Sequence, residues 1–405
     1  MKKYLLILVF VLTSATMLSG CDTSDNNNSN ESNEITIAIL SGNPFIETAA
    51  ERFEAMYDGQ YTINITIYDD RASYAQIINT ALMSGMGEDI IHASNIPWER
   101  LADTNNLADL NSILNFAPGE FYQTILDAFL YNGRRHVIPL SFHMETFSTA
   151  DAAPLNIYPN RFALNDLINL ANTYPDAHLI IGPAGTSEVN IAHRFFNLSF
   201  AEFIDLPNRQ ANVDTDKFIR LLEDVQSIGD RLRAPFQLEN VLIQEDIFFN
   251  PAMASSGMPD YTNFHIMTND RGEGMVHAFD LLAINANSTN QALAARFLQF
   301  LISEEMQTSP EIWQTAVNRH AAISNAAALY ESIKAGDFAP PEYFNLSTNI
   351  AVFNRLADRL TIAPTSDPFI NEFVRNEMTR FFDGEVTAEQ AARNLQARLT
   401  TYLNE

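Results

Sequence analysis

Short apolar runs alternate with amphipathic segments over the first part of the chain. Runs rich in β-branched residues favour strands, and apolar positions three and four residues apart favour helices. The pattern predicts strand, helix, strand, helix and strand at residues 35–40, 44–57, 61–68, 74–82 and 89–93. This order predicts parallel βαβ units and therefore an α/β domain.

The rest of the chain continues the mixed pattern. Asn132 and Gly133 predict a tight hairpin turn, and Thr387 with Gln390 three residues later predicts a capped start for the last helix. Helices are predicted over 164–174, 187–203, 215–232 and 290–307, and strands over 177–181 and 279–284. The change of pattern near Ser141 predicts that a second structural unit begins there.

The amino-terminal segment carries the features of an export signal. Lys2 and Lys3 precede an apolar run over 4–17 that is too short to cross a bilayer. Leu18-Ser19-Gly20-Cys21 follows and resembles the bacterial lipoprotein box, and Cys21 is the only cysteine in the sequence. This resemblance implies a signal peptide over 1–20 and acylation of Cys21. Residues 22–34 contain no apolar side chain, so 21–34 is predicted to be an acylated, disordered tether.

Composition predicts a folded protein and excludes several classes of function. The 405 residues are 46% hydrophobic, which favours two domains or one elaborated domain. The net charge of −26 repels phosphate backbones, so no nucleic-acid partner is expected. The sequence contains no phosphate-binding loop, no Gly-x-Ser-x-Gly elbow and no His-Glu-x-x-His pair. No catalytic residue, metal or cofactor is predicted, and a secreted glycosidase with two carboxylates is the enzyme alternative.

Motifs spread over the whole body point to one family. They comprise Gly85 and Gly87 ahead of Asp89-Ile90-Ile91, a turn that ends at Pro139, a strand with an Ala-x-x-Phe-x-x-Phe-Leu helix, and a Val-Asn-Arg loop. The segments that carry them are 74–93, 133–139, 281–285, 294–301 and 317–321. In this order they resemble the extracellular solute-binding protein family 1, which is maltose-binding-protein-like.

The resemblance implies an α/β, two-lobed periplasmic-binding-protein-like (type II) fold with discontinuous lobes and a hinge. The amino-terminal lobe is expected to comprise 35–141 plus 282–318, and the carboxy-terminal lobe 142–281 plus 319–405. Ligand would favour the closed form by binding it more tightly than the open form.

The function that the resemblance implies is capture of a small solute in the cleft between the lobes. A sugar or oligosaccharide is the expected solute. The protein would deliver it, as a lipid-anchored monomer outside the cytoplasm, to the permease subunits of an ABC transporter at the cell membrane. A peptide, another non-sugar solute or a role as a ligand sensor are the alternatives within the same fold.

Sugars present hydroxyl edges and apolar ring faces, so their sites combine polar side chains with Trp or Tyr platforms. Suitable residues follow predicted strands or lie near the predicted crossovers. The candidate ligand-binding residues are Asn43, Asp70, Ser94, Asn95, Trp98, His143, Glu145, Tyr261 and Arg319.

Several of these candidates have a structural alternative. Asn43 could cap a helix and Asp70 could lie in a solvated turn. Trp98 and Arg319 could pack against a helix. His143 at the first crossover could make a hinge hydrogen bond instead of contacting a ligand.

Overall fold

The first strand of the structure begins at Glu34, one residue before the first predicted strand. The computed structural model describes residues 32–150, 161–181, 187–232, 241–248, 250–253, 261–278, 280–312, 314–335 and 345–405. The strands are β1 (Glu34–Leu40), β2 (Thr62–Tyr68), β3 (Ile90–His92), β4 (Leu130–Tyr131), β5 (Arg134–Arg135), β6 (Ile138–Pro139), β7 (Ser141–Phe142), β8 (Met144–Ala150), β9 (Arg161–Phe162), β10 (His178–Ile181), β11 (Ile204–Asp205), β12 (Gln210–Ala211), β13 (Val241–Phe248), β14 (Tyr261–Met267), β15 (Gly274–Met275), β16 (Leu281–Ile284), β17 (Thr315–Ala316) and β18 (Leu360–Ile362).

Helices connect and cover these strands. They are α1 (Pro44–Met56), α2 (Arg71–Met83), α3 (Trp98–Asp103), α4 (Gln123–Ala128), α5 (Leu164–Thr173), α6 (Glu188–Leu198), α7 (Phe200–Phe203), α8 (Asp216–Ser227), α9 (Gly229–Leu232), α10 (Gln291–Leu301), α11 (Glu304–Gln307), α12 (Arg319–Ala335), α13 (Leu346–Ala357), α14 (Pro368–Phe382) and α15 (Ala388–Asn404). Within the ranges given above, no helix combines the length and the apolar character needed to cross a membrane.

The first sheet has the strand order β2-β1-β3-β16-β6. β1 pairs in parallel with β2 and β3, which confirms the predicted βαβ units. β16 runs antiparallel to β3, so the start of β16 lies at the same edge as the carboxyl end of β3. Loops distant in sequence therefore meet at this edge.

The second sheet has the order β10-β13-β8-β14-β9 and is built from the middle of the chain. β8 pairs antiparallel with both β13 and β14 and so lies at the centre. The chain enters this sheet between β6 and β8 and returns to the first sheet between β14 and β16. The two crossings lie side by side, since His143 and His277 form an antiparallel bridge.

Each sheet has its own hydrophobic core. The first core includes Ile37, Ile91 and Leu282, and the second includes Phe147, Ile243 and Leu395. The lobe boundaries given above remain a prediction. Phe353 and Leu360 lie in the first core, although the prediction assigns 319–405 to the second lobe.

Local signals specify several details correctly. Asn132 and Gly133 both have positive φ, as the hairpin between β4 and β5 requires. Thr387 and Gln390 form the expected reciprocal cap of α15. The single helix predicted over 290–307 is wrong, because Ser303 interrupts it and caps α11 by accepting from the Met306 N–H at 3.3 Å.

The predicted helices over 187–203 and 215–232 are also each divided in two. The first breaks at Ser199, between α6 and α7. The second breaks at Ile228, between α8 and α9. In both cases the apolar periodicity continues across the break, so periodicity alone does not reveal it.

Candidate functional site

Four polar side chains meet at the carboxyl edge of the first sheet. Asn43 Nδ2 donates to Asp280 Oδ1 at 2.9 Å, and His92 Nε2 lies 3.4 Å from the same oxygen. Ser94 Oγ accepts from the Leu281 N–H at 3.0 Å. We call Asn43, His92, Ser94 and Asp280 the first-sheet cluster. It combines hydrogen-bond donors and acceptors, and the Asp280 side chain is 22% exposed.

The first-sheet cluster brings together two of the predicted ligand-binding residues, Asn43 and Ser94. Asn43 also caps α1, because its Oδ1 accepts from the N–H groups of Phe45 and Ile46. The alternative raised for it, a helix cap, is therefore present together with the contact to Asp280. The roles of both residues toward a ligand remain a prediction.

Other predicted residues near this edge have structural partners. Asp70 caps α2 by accepting from the Ser73 N–H at 2.7 Å. Hydrogen bonding from the Ser73 side chain, and then from the Ser73 backbone, lowers the pKa of the Asp70 carboxyl. Asn95 Nδ2 donates to the Arg71 carbonyl at 3.2 Å. Trp98 is only 3% exposed and packs edge-on against Tyr131, with the ring centroids 6.1 Å apart. The indole is thus part of the first core in this structure.

A second polar group lies where the chain crosses between the sheets. Arg194, from α6, places its Nε 3.1 Å from Glu145 Oε2 and its Nη2 in contact with Glu245. His277 Nε2 lies 3.8 Å from the same Glu145 oxygen. We call Glu145, Arg194, Glu245 and His277 the Arg194 cluster. One guanidinium thus holds a carboxylate from each of two neighbouring strands, β8 and β13.

Burial governs the protonation of this region. It raises the pKa of Glu245, and the nearby Arg194 opposes that rise. His143 stacks on His277 with ring centroids 5.1 Å apart, and burial lowers the pKa of each imidazole to about 4. Both histidines are therefore neutral at pH 7. The charges in the cluster are those of the arginine and its carboxylates.

The two clusters lie close together along the chain at the second crossing between the sheets. His277 belongs to the Arg194 cluster and Asp280 to the first-sheet cluster, and three residues of extended chain span at most about 10 Å. A cavity of about 10 Å³ lies against the Arg194 cluster, and its described walls include Glu145, Arg194 and His277.

A further contact joins α3, which packs in the first core, to α15, which packs in the second. Arg100 of α3 places its guanidinium 4.5 Å from the centre of the Tyr402 ring in α15. The Tyr402 hydroxyl donates to Asp367 Oδ2 at 2.7 Å, and Asp367 caps α14. A cavity of about 200 Å³ lies here, with walls that include Arg100, Phe369 and Tyr402.

Glu99, next to Arg100, is a buried carboxyl at this contact. Burial raises its pKa to about 8, and the negative charges of Asp367 and Asp103 add to the rise. The ordinary value of 4.5 applies to the unfolded chain. The folded protein therefore binds more protons between pH 4.5 and pH 8, and this group lowers the free energy of unfolding as the pH rises through that window.

We expect Glu99→Gln to remove this pH dependence. At pH 9 the variant should be more stable than the unsubstituted protein by on the order of 3 kcal/mol, because the amide carries no charge to bury. At pH 5 the two should differ little. Urea unfolding at both pH values measures the effect, with the exposed Glu331→Gln as control. If Glu99→Gln changed the free energy of unfolding equally at pH 5 and pH 9, the raised pKa of Glu99 would be contradicted.

The remaining predicted residues lie elsewhere or are not described. Arg319 starts α12 and places its guanidinium 5.5 Å from the centre of the Tyr122 ring, which is the packing alternative raised for it. Tyr261 is the first residue of β14, and only its backbone is described. Cys21, the signal peptide and residues 21–31 of the tether lie outside the described residues.

Sequence reasoning missed two of the four residues of the first-sheet cluster and three of the four residues of the Arg194 cluster. His92 ends a correctly predicted strand, and Asp280 lies in the predicted strand over 279–284. The missing signal was the antiparallel direction of β16, which places Asp280 beside His92. Arg194 lies in α6, the first part of the helix predicted over 187–203, but nothing local distinguishes it from a solvated cation.

No family model and no curated protein matches this sequence. Solved structures do match it. An extracellular solute-binding protein family 1 member from Alicyclobacillus acidocaldarius aligns over 92% of this chain and 98% of its own, at 12% identity and a TM-score of 0.58. The chain has the two-lobed fold of solute-binding proteins.

Two further neighbours were solved with ligands. The GacH receptor of Streptomyces glaucescens, solved with and without acarbose, covers 92% of this chain and 98% of its own at 13% identity and a TM-score of 0.57. An ABC substrate-binding protein of Listeria monocytogenes in complex with cycloalternan covers 92% and 99% at 16% identity and a TM-score of 0.58. The similarity confirms the predicted two-lobed fold.

Proposed function

We propose that this protein is an extracellular solute-binding lipoprotein of an ABC importer and that it binds a sugar or oligosaccharide between its lobes. The observation that carries the proposal is the pair of polar clusters at the two ends of the short segment between His277 and Asp280. Both clusters contain partly exposed charged groups whose positions are fixed by protein partners. A preorganised site of this kind loses little freedom when a ligand binds.

The chemistry of the clusters suits a neutral polyhydroxylated molecule. Asp280 and Glu145 are carboxylates that accept from hydroxyl groups, while Asn43 and Arg194 supply N–H donors. The Asp280, Glu145 and Arg194 side chains are 22%, 21% and 17% exposed, so each retains some surface that a ligand can reach. The neighbours solved with acarbose and cycloalternan support a sugar ligand by analogy of fold.

The remaining parts of the proposal rest on the sequence. The lipoprotein-like box ending at Cys21 supports export and a lipid anchor, with the polar residues between Cys21 and the start of β1 at Glu34 as the tether. Two acyl chains hold a protein at a membrane far more firmly than one. A monomer anchored in this way would present its ligand to the permease subunits. The chain would perform no chemistry on the sugar.

A thermal unfolding screen tests the proposed function. A ligand present at 100 times its Kd stabilises the native state by about 2.7 kcal/mol, so a cognate sugar should raise the Tm by about 2 °C or more. The screen uses the mature chain with Cys21→Ser and compares mono- and oligosaccharides with peptides and polyamines.

The screen separates the proposal from its alternatives. An increase in Tm only with peptides or polyamines would be compatible with the fold but would show that the solute is not a sugar. Breakdown of a stabilising oligosaccharide during incubation would favour the glycosidase alternative. No shift with any carbohydrate at millimolar concentration would contradict sugar binding.

A further inference from the structure

A second opening lies within the second lobe, apart from the clusters at the crossings. It is a groove of about 580 Å³, within the size range of small-molecule sites. α5, α6, α7, α8 and the loop after β14 supply its walls, and none of its described lining residues belongs to the first core. Closure of the lobes is therefore not needed to form it.

The floor of this groove is apolar. Phe195, Phe203 and Leu221 line it, and each is a buried member of the second core. Their inner sides pack against the core, so the floor is rigid. An apolar ring or chain could lie on it and lose its contact with water.

The rim of the groove carries unbalanced negative charge. Of its two cations, Lys217 is paired with Glu202 at 2.5 Å. Burial raises the pKa of Asp224, and the other cation, Arg220, lies close enough to oppose that rise. Asp216 and Asp270 line the same rim. Over the described part of the chain, neither of these two carboxylates has a side-chain hydrogen bond or an ion pair.

A buried hydroxyl adds a second, independent observation. Thr268 lines the groove and is fully buried, and its Oγ1 has no hydrogen-bond partner among the described residues. Buried polar groups without a partner are rare in native proteins, and a bound ligand or water is the usual explanation. The backbone N–H of Thr268 is satisfied by the Phe162 carbonyl at 2.9 Å.

We infer that this groove binds a small organic cation with an apolar body. The ammonium group lies between Asp216 and Asp270 at the rim. The apolar body lies on Phe195, Phe203 and Leu221, and the Thr268 hydroxyl is available to a polar atom of the ligand. The site is separate from the proposed sugar site and does not depend on it.

Calorimetric titration with 2-phenylethylamine tests the inference on the mature Cys21→Ser chain. Saturable 1:1 binding is expected, because the probe combines an ammonium group with an aromatic ring. Phenylacetate and 2-phenylethanol share the ring but lack the positive charge, so they should bind at least tenfold more weakly. Equal binding of all three, or no saturable binding of the amine up to 10 mM, would overturn the proposal.

Variants locate the site. Asp270→Asn lies in an exposed loop position and should weaken amine binding at least fivefold without unfolding the protein. Asp216→Asn combined with Asp270→Asn should weaken it further. Asp280→Ala, in the first-sheet cluster, should leave amine binding unchanged. Loss of amine binding in Asp280→Ala but not in Asp270→Asn would place the amine between the lobes and overturn the groove assignment.

Discussion

Arg194→Met should lower the free energy of unfolding by about 3 kcal/mol at pH 7. The substitution removes the cation that neutralises Glu145 and Glu245, and Glu245 is only 5% exposed. Removing one partner of a buried ion pair costs about 3–5 kcal/mol, and the partial exposure of Arg194 places the expected effect at the lower end. Urea unfolding followed by circular dichroism measures it.

The same variant should show a distinctive pH dependence. Without the arginine, the pKa of Glu245 rises further above its unfolded value, so the folded variant binds more protons. The difference in free energy of unfolding between the unsubstituted protein and Arg194→Met should therefore become smaller as the pH falls from 7 toward 4. Lys217→Met is the matched control, because Lys217 and Glu202 are 44% and 39% exposed and their pair contributes less than about 1 kcal/mol. Equal losses in the two variants would contradict the role given to Arg194.

Asp280→Ala should weaken carbohydrate binding by about tenfold to a hundredfold. The substitution removes the partly exposed carboxylate that contacts Asn43 and His92. A hydrogen bond to a charged group contributes about 1.5–3 kcal/mol, which corresponds to that range of Kd. Titration calorimetry with the best sugar from the unfolding screen measures it.

Asp70→Ala provides the control for Asp280→Ala. Both positions follow or precede strands at the same edge of the first sheet, but Asp70 is engaged as the cap of α2. Its removal should cost helix stability and change the Kd less than threefold. A larger increase in Kd from Asp70→Ala than from Asp280→Ala would contradict the role given to Asp280. It would favour Asp70 as the ligand-binding residue, as the sequence predicts.

Local patterns predicted the elements of the first sheet well. β1 to β3 and the helices between them follow from apolar spacing and turn chemistry, because those signals act within a few residues. Asn43 is an example, since its position before Pro44 predicted a cap that the structure contains. The division of the helix over 290–307 was not visible, because apolar positions continue across Ser303.

The candidate site was predicted only in part, because its contacts join distant parts of the chain. Asn43 meets Asp280 across 237 positions, and Arg194 reaches Glu245 across 51. No local pattern encodes either pair. Trp98 was predicted to bind ligand because it is one of only two tryptophans in the sequence. In the structure it is buried against Tyr131 and belongs to the first core.

Binding of a carbohydrate to the unsubstituted protein is the central claim, and calorimetric titration of the mature Cys21→Ser chain tests it most directly. The account predicts saturable 1:1 binding of one class of sugar with a micromolar or lower Kd, equivalent to at least about 8 kcal/mol of binding free energy. The same sugar should bind Asp280→Ala more weakly. Absence of saturable binding for every sugar, with a peptide or polyamine binding in its place, would contradict it.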